Sequence, residues 1–286
     1  MSLLHKFELL AKGKEKKIGI GFGESDFHNQ KILRASKSFL KEYNSEVFIF
    51  GKKPFLNTIK NQVSLKKDQS KFRLIDCTDP EEYIFEFLYD NTINVIVRGS
   101  LSSNKFLKIL KDKSNITEIN RLALLETIKG HQFFYGPVGI DECNTLEKKK
   151  IYIENALKEF ANLGIVPKVS ILSGGRVSDI GRDNRVDKTI KEAENLVETL
   201  KMRHYDLNIS HDEILIENAI EKKSNLIIAP DGISGNLIYR TLVHLGGGKA
   251  YGAIYIGIDK IIIDTSRVGK SSEIHGALLL GLALSR

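Results

Sequence analysis

Two polar segments follow apolar runs near the end of the chain, and their residue types suit the binding of an anion. Residues 230–236 read Pro-Asp-Gly-Ile-Ser-Gly-Asn after the apolar run 226–229, and residues 264–267 read Asp-Thr-Ser-Arg after the run 261–263. A glycine-rich turn that leads from a strand into a helix presents backbone N–H groups to a negatively charged group. The second segment adds a hydroxyl and a planar guanidinium, so the two segments together predict a site for phosphate or carboxylate.

Each functional side chain in the second segment also has a structural interpretation. Arg267 either binds phosphate oxygens in a bidentate manner or forms an ion pair with Asp264 or Asp259. Ser266 either donates its hydroxyl to a developing oxyanion or bonds the backbone of its own turn. Ser266 is not expected to be a covalent nucleophile, because the sequence places no Gly-x-Ser-x-Gly motif around it.

A second glycine-rich loop, Ser-Gly-Gly-Arg at residues 173–176, follows another apolar run. A strand, a glycine-rich turn and a cation in this order predict a phosphate cradle, with Ser173 and Arg176 as substrate-binding residues. The alternative is a mobile basic loop without a ligand.

A third polar loop begins at Gly99 and leads into a predicted helix. Ser100 in this loop is a further candidate for substrate contact, and Arg98 is expected to position the loop. The histidines are dispersed and lack metal-ligand spacing, so His204 and His211 are assigned to the surface or to packing. No metal is expected.

Composition places the chain among ordinary globular proteins. Its 286 residues are 42% hydrophobic and 28% charged, which permits one large domain or two ordinary ones. No apolar stretch is long enough to span a bilayer, so no membrane association is expected. Cys77 and Cys143 form no metal-spaced pair, and this cysteine usage indicates a reducing cytoplasm.

The charge balance limits the kind of partner. A net charge of +7 and a pI near 9.1 suit either nucleic acid or a phosphorylated small molecule. The basic residues are interleaved with acids, and no nucleic-acid-binding motif accompanies them. The densest basic run, residues 12–17, is expected on a solvated face. A small anionic substrate is therefore the favoured partner.

Short apolar runs alternate with helical patterns, which predicts an α/β fold with mostly parallel strands. Strands are predicted at 17–21, 47–50, 73–75, 95–98, 133–135, 169–172, 226–229, 253–256 and 260–263. Helices are predicted at 31–43, 80–88, 105–110, 146–163, 186–200, 212–222, 235–245 and 272–284. Ser234 and Ser271 are predicted to cap the last two helices.

These segments also carry a family resemblance. Residues 138–140, 165–173, 230–236 and 264–267, with the Leu-Gly-Gly after residue 244, resemble the C-terminal part of phosphate acetyl/butyryltransferases. The similarity is greatest to their methanogen relatives, methanogenesis marker protein 4, described as methyltransferase subunit X. The resemblance implies two α/β domains with a cleft between them, the isocitrate/isopropylmalate dehydrogenase-like fold. Residues 1–130 plus 274–286 would form the first domain and residues 131–273 the second.

The resemblance also assigns roles. It implies acyl transfer between an acyl phosphate and coenzyme A, with Arg267 holding phosphate and Ser266 stabilising the transition state. Glu273 stands where the acyltransferases have an aspartate thought to deprotonate the thiol, and its stem is longer by about 1.5 Å. The alternative for Glu273 is an acid that complements a helix dipole. Asp231, Gly235 and Asn236 would line the cleft.

Three departures keep a second function open, of which the glutamate at position 273 is the first. Val268 replaces a glycine of the family, and glycine and arginine replace part of a serine- and threonine-rich loop at 173–176. A methyltransferase-associated protein that keeps the fold and binds another ligand therefore remains an alternative. The resemblance also implies a homodimer. A nucleic-acid binder, supported by charge alone, is the weakest alternative.

Overall fold

The chain folds into two compact units. The computed structural model describes residues 1–63, 71–266 and 269–285, with the backbone alone for residues 60–63. The first unit consists of Leu3–Ile119 and Ala250–Arg286, and the second of Asn120–Lys249. In this division the chain returns to the first unit at residue 250, so residues 250–273, given to the second domain by the sequence interpretation, pack with the first.

Helices and strands alternate along the first unit. Its N-terminal part contains α1 (Leu3–Ala11), β1 (Lys17–Gly21), α2 (Asp26–Glu42), β2 (Glu46–Gly51), α3 (Lys53–Val63), β3 (Phe72–Asp76), α4 (Pro80–Tyr89), β4 (Val95–Val97) and α5 (Ser103–Ser114). Its C-terminal part contains β10 (Lys249–Ile256), β11 (Ile261–Asp264) and α10 (Ser271–Leu284).

The sheet of the first unit brings three loops to one edge. Its strand order is β3-β2-β1-β4-β11-β10. The pairs β1–β2, β1–β4 and β4–β11 are parallel, whereas β10 and β11 are antiparallel. Because carboxyl ends of parallel strands meet at one edge, the loops that begin at Phe22, Arg98 and Thr265 lie side by side. This is the edge at which open α/β sheets bind ligands.

The last helix, α10, is the centre of the first unit. Its apolar run is buried as predicted, with Leu278, Leu280 and Leu282 fully enclosed. The helix packs against α1 and α2 on one side and against β11 and β4 on the other. A side chain at Gly276 would bring a Cβ within 2.7 Å of Tyr251, so glycine allows the close approach of α10 to β10.

The second unit has its own mostly parallel sheet. Its elements are β5 (Asn120–Glu126), β6 (Gln132–Gly136), α6 (Leu146–Asn162), β7 (Lys168–Ile171), α7 (Asn184–Arg203), β8 (Asn208–His211), α8 (Ile216–Glu221), β9 (Leu226–Ile228) and α9 (Gly232–Arg240), which a π-helical turn (Thr241–Leu245) extends. The strand order is β5-β6-β9-β7-β8, with β5 and β6 antiparallel. Phe133, Phe134 and Phe160 are fully buried in its core.

The start of α10 differs from the prediction. Ser271 is the first residue of the helix and does not cap it; Lys270 holds the capping position and makes no side-chain capping bond. The reason lies in the residues that precede the helix. The amide of Glu273 already bonds the carbonyl of Lys270, which begins the helix one residue earlier than predicted.

Candidate functional site

The carboxylate of Glu273 closes the loop that follows β11. The backbone N–H of Ser266 donates to Oε1 of Glu273 at 2.7 Å, and the N–H of Gly269 donates to the carbonyl of Ser266 at 3.0 Å. A Cβ on Gly269 would lie 2.1 Å from Oε2 of Glu273. Glu273 is only 4% exposed. Glu273, in the first turn of α10, is therefore in direct contact with the backbone of Ser266.

Burial raises the pKa of Glu273 to about 7. The hydrogen bond from Ser266 acts in the opposite direction, the nearby Asp264 adds to the increase, and Arg98 and Lys31 oppose it. A carboxyl group with this pKa exists in both protonation states near neutral pH. It has the properties that a general acid or base needs at that pH.

Arg98 ties the loop after β4 to the loop after β11. Its Nε lies 2.5 Å from Oδ1 of Asp264, and its guanidinium donates to the carbonyls of Leu101, at 2.8 Å, and of Thr265. Arg98 and Asp264 are both buried. The predicted positioning role of Arg98 is confirmed. Asp264, considered above as a structural partner for Arg267, is bonded to Arg98; Arg267 and Val268 themselves lie outside the described residues.

Ser100 braces the turn after β1. Its hydroxyl accepts from the N–H of Gly23 at 2.7 Å and donates to Oδ1 of Asn29 at 2.7 Å. Asn29 is fully buried and its amide donates to the carbonyl of Gly23 at 2.9 Å. The hydroxyl of Ser100 thus has a structural function, and its contact with substrate stays a prediction.

Lys31 was not identified from the sequence, yet it lies at the same edge. Its ammonium group donates to the carbonyl of Gly269 at 3.1 Å. The two residues are 238 positions apart, and no local pattern marks a lysine on α2 as a partner of this loop.

In the second unit, Gly235 and Asn236 pack α9 against the loop after β6, and Asp231 caps the same helix. A Cβ at Gly235 would lie 1.9 Å from the carbonyl oxygen of Pro137, and the amide of Asn236 donates to the carbonyl of Val138 at 2.7 Å. Packing therefore explains the glycine at position 235. Roles of these residues in substrate binding stay predictions.

The cap of α9 is Asp231 and not Ser234. The carboxylate of Asp231 accepts from the N–H of Ser234 at 2.8 Å, and the helix begins at Gly232. The hydroxyl of Ser234 donates back to the carboxylate of Asp231, at 3.0 Å. Asp231 suits the capping position because its carboxylate also complements the positive end of the helix dipole.

The loop beneath α9 depends on a buried ion pair that the sequence did not reveal. Oε1 of Glu142 lies 2.7 Å from Nε of Arg121, and its Oε2 accepts from the N–H of Val138 at 3.2 Å. Burial raises the pKa of Glu142, and Arg121 opposes that effect. The sequence lacked a signal for this pair because its members belong to different elements.

Ser173 and Arg176 belong to the loop after β7, and Ser173 contacts the last residue of β8. The hydroxyl of Ser173 donates to the carbonyl of Gly175 at 2.8 Å and lies 2.8 Å from Nε2 of His211. His211 therefore contacts a predicted site residue, although the sequence assigned it to the surface or to packing. Burial lowers the pKa of His211, so the imidazole tends to be neutral.

Several amides of this loop already have partners. The N–H of Gly174 donates to Thr189 at 2.8 Å, that of Arg176 to Asp179 at 2.9 Å, and that of Val177 to Glu213 at 3.1 Å. An anion at this loop would therefore meet the exposed guanidinium of Arg176 and not these three amides.

The described part of the chain contains neither a cluster of metal ligands nor a membrane-spanning helix. Among those residues, no group of three or more His, Cys, Asp and Glu side chains could hold a metal ion. Within the same ranges, no helix is both long and apolar enough to cross a membrane.

A match to a family model over most of the chain identifies the family of the protein. The model of the phosphate acetyl/butaryl transferase family matches residues 78–281. The chain belongs to this family. The matched part contains Ser100, Ser173, Asp231 and Glu273, whereas Lys31 lies before it.

Two relatives of this family member carry different names. A protein of Methanosarcina mazei named "Putative methyltransferase mtx subunit X" is 37% identical over 99% of this chain and 95% of its own length. A phosphate acetyltransferase of Thermotoga maritima is 23% identical over 96% of this chain and 98% of its own length.

The fold of the family member matches solved structures. A phosphotransacetylase from Streptococcus pyogenes superimposes with a TM-score of 0.72 at 17% identity, covering 99% of this chain and 98% of that protein. The α/β fold implied by the resemblance is confirmed, as is the resemblance itself.

Proposed function

We propose that the protein transfers an acyl group between an acyl phosphate and the thiol of coenzyme A. The observation that carries the proposal is the buried carboxyl of Glu273, whose pKa is raised to about 7 and which contacts the Ser266 loop. A cysteine-type thiol has a pKa of about 8.5, so a base with this pKa is well matched to it.

The reaction has a simple balance of bonds. Glu273 accepts the thiol proton, and the sulfur attacks the carbonyl carbon of the acyl phosphate. The carbon–oxygen bond to phosphate breaks, and phosphate leaves with the bonding electron pair. Ser266 would donate its hydroxyl to the oxyanion, and Arg267 would hold the phosphate oxygens. No metal takes part in these steps.

Other predicted residues would bind the substrates. Ser100, Ser173, Arg176, Asp231, Gly235 and Asn236 are the residues proposed for this role. The exposure of the Arg176 side chain supports a role in binding an anionic group, since its guanidinium is open to solvent. We also place this activity in the cytoplasm, as the cysteine usage indicated.

The test is an assay with purified protein, acetyl or butyryl phosphate and coenzyme A. Arg267→Ala should lower acyl transfer by at least about a hundredfold, equal to about 2.7 kcal/mol of transition-state stabilisation, with an unchanged melting temperature. Arg182→Ala is the matched control, because the Arg182 side chain is exposed and bonded to Asp179. Turnover of Arg267→Ala at the wild-type rate would exclude the assignment.

A second candidate function is a subunit of a methyltransferase assembly that binds another ligand. It is favoured by the name of the Methanosarcina mazei relative and by the glutamate at position 273, whose Oε1 is bonded to its own loop. Absence of acyl transfer in the assay, together with a protein partner that co-purifies from native extract, would support this candidate.

The homodimer implied by the resemblance receives support from the exposed face of α9. Ile233 and Leu237, four residues apart, are 62% and 61% exposed. Arg240 lies in the last turn and Asp231 caps the first. Two copies of α9 packed antiparallel would bury the apolar residues and bring the Arg240 end of each helix to the Asp231 end of the other.

Sedimentation of the wild type and of Leu237→Asp tests the dimer. We expect a dimer for the wild type and a monomer for Leu237→Asp, because a buried charge in an apolar interface is costly. Met202→Asp, at another exposed apolar position, should remain dimeric. A monomeric wild type, or a variant that stays dimeric, would contradict this part of the proposal.

A further inference from the structure

An ammonium group from α2 contacts the loop that leads into α10, whose first turn contains Glu273. Nζ of Lys31 lies 3.1 Å from the carbonyl oxygen of Gly269 and 4.4 Å from the centroid of the Phe27 ring. A cation over an aromatic face and bonded to a carbonyl is held in one place by two independent attractions. Lys31 is half-buried, so its charge is only partly screened by water.

The charges that face Glu273 come from three elements. Asp264, at the end of β11, repels its carboxylate; Arg98, after β4, and Lys31, on α2, attract it. The N–H of Ser266 also stabilises the ionised form. Arg98 is bonded directly to Asp264 at 2.5 Å, so those two charges largely balance each other. The two contacts of Lys31 described above are with a carbonyl and a ring, and neither of them neutralises its charge.

We propose that Lys31 is a positioning residue of this site, which holds the loop through Gly269 and supplies one of the positive charges that favour ionisation of Glu273. The inference deepens the proposed acyl transfer and rests on it for its functional meaning. Its physical content is independent of that function, because the contact and the charge are present whatever the substrate is.

Removal of the Lys31 charge alters the balance of charges around Glu273. Without Lys31, Glu273 remains buried and close to Asp264, while one of the two cations that attract it among the described residues is lost. The carboxyl then stays protonated to higher pH and accepts the thiol proton less readily near neutrality. The loop also loses its bond to α2.

Four variants separate these effects. Lys31→Gln keeps a donor for the carbonyl of Gly269 and removes the charge, whereas Lys31→Met removes both. Lys31→Arg keeps both the charge and the ability to lie over a ring. Lys41→Met is the matched control, because Lys41 is an exposed lysine of the same helix.

The measurement is a pH titration of the Glu273 carboxyl carbon by NMR of carbon-13-labelled full-length protein, assigned with Glu273→Gln. We expect the midpoint to rise by about half a pH unit in Lys31→Gln and Lys31→Met, which is less than the roughly one to three units of a directly paired charge because water partly screens Lys31. Lys31→Arg and Lys41→Met should titrate as the wild type. A wild-type midpoint in Lys31→Gln, or an equal rise in Lys41→Met, would overturn the proposal.

The activity of the same variants distinguishes the proposed acyl transfer from the proposed role of Lys31. If the wild type transfers acyl groups, the acidic limb of its kcat/KM profile should move to higher pH in Lys31→Gln and return in Lys31→Arg. If the wild type has no such activity, the proposed function fails, and the NMR titration still decides the role of Lys31.

Discussion

Glu273 shows how one additional methylene group changes the possible functions of an acid. The carboxylate reaches back to the N–H of Ser266, 2.7 Å away, and lies against Gly269. The sequence located an acid in the first turn of a helix and offered two roles for it. Its burial and its neighbours Asp264 and Lys31 could not be predicted, because they depend on contacts between distant parts of the chain.

The raised pKa of Glu273 predicts a pH dependence of stability. The native carboxyl binds its proton up to about pH 7, whereas the ordinary value is 4.5. Its contribution is therefore fully present below pH 4.5 and is lost as pH rises through about 7. Over this window the wild type should lose up to about 3 kcal/mol of unfolding free energy relative to Glu273→Gln, measured by urea unfolding.

Glu217→Gln provides the control for that titration, because Glu217 is an exposed acid in the first turn of another helix. Its stability should follow that of the wild type at every pH. Parallel curves for the wild type and Glu273→Gln between pH 4.5 and 8 would contradict the assignment of a buried, half-ionised carboxyl.

Among the elements, α9 was correctly predicted to be a helix, but its first residue is Gly232 and not Gly235. Its glycine-rich turn after a strand was a strong local signal, and the helix forms there. Asp231 and Ser234 are both good capping residues, so the local sequence did not distinguish them. In the structure the helix already begins at Gly232, which gives the capping position to Asp231.

Capping of α9 predicts a difference between two alanine variants. Asp231→Ala removes the acceptor for the N–H of Ser234 and should lower the unfolding free energy by about 1 kcal/mol. Ser234→Ala leaves that N–H capped and should cost less. Urea unfolding of both variants measures the difference, and an equal or larger loss for Ser234→Ala would restore Ser234 as the cap.

Sequence reasoning missed β5 and β8, each for its own reason. β5 is rich in leucine and alanine, which favour helices, and it becomes a strand by pairing with β6. β8 is short and polar and lies at the edge of its sheet. In contrast, apolar runs such as β1 and β4, which are buried within the sheet, were located almost to the residue.

At the scale of the whole molecule, the two ends of the chain meet in the first unit. The ammonium group of Lys14 donates to the carbonyls of Ala283, at 2.8 Å, and of Ser285. The sequence placed the basic run 12–17 on a solvated face, whereas the structure gives Lys14 a half-buried position at the end of α10. A positive group there also complements the negative end of the helix dipole.

Loss of this contact should destabilise the protein as a whole. Lys14→Met is expected to lower the unfolding free energy by about 1.5–3 kcal/mol, the range for hydrogen bonds that involve a charged group. Lys12→Met, at an exposed position two residues earlier, should have little effect. Equal stabilities of the two variants in urea would show that the ends of the chain are held by other contacts.

The order of the elements in the first unit has a consequence for biosynthesis. β4 pairs with β11 through Ile96 and Ile262, yet the entire second unit is translated between them. During synthesis, the edge of β4 (Val95–Val97) that pairs with β11 has no partner strand until β11 has left the ribosome. An unpaired strand edge can associate with other chains. A nascent chain that stops before residue 261 should therefore be a target for chaperones, even though residues 120–249 have already been synthesised.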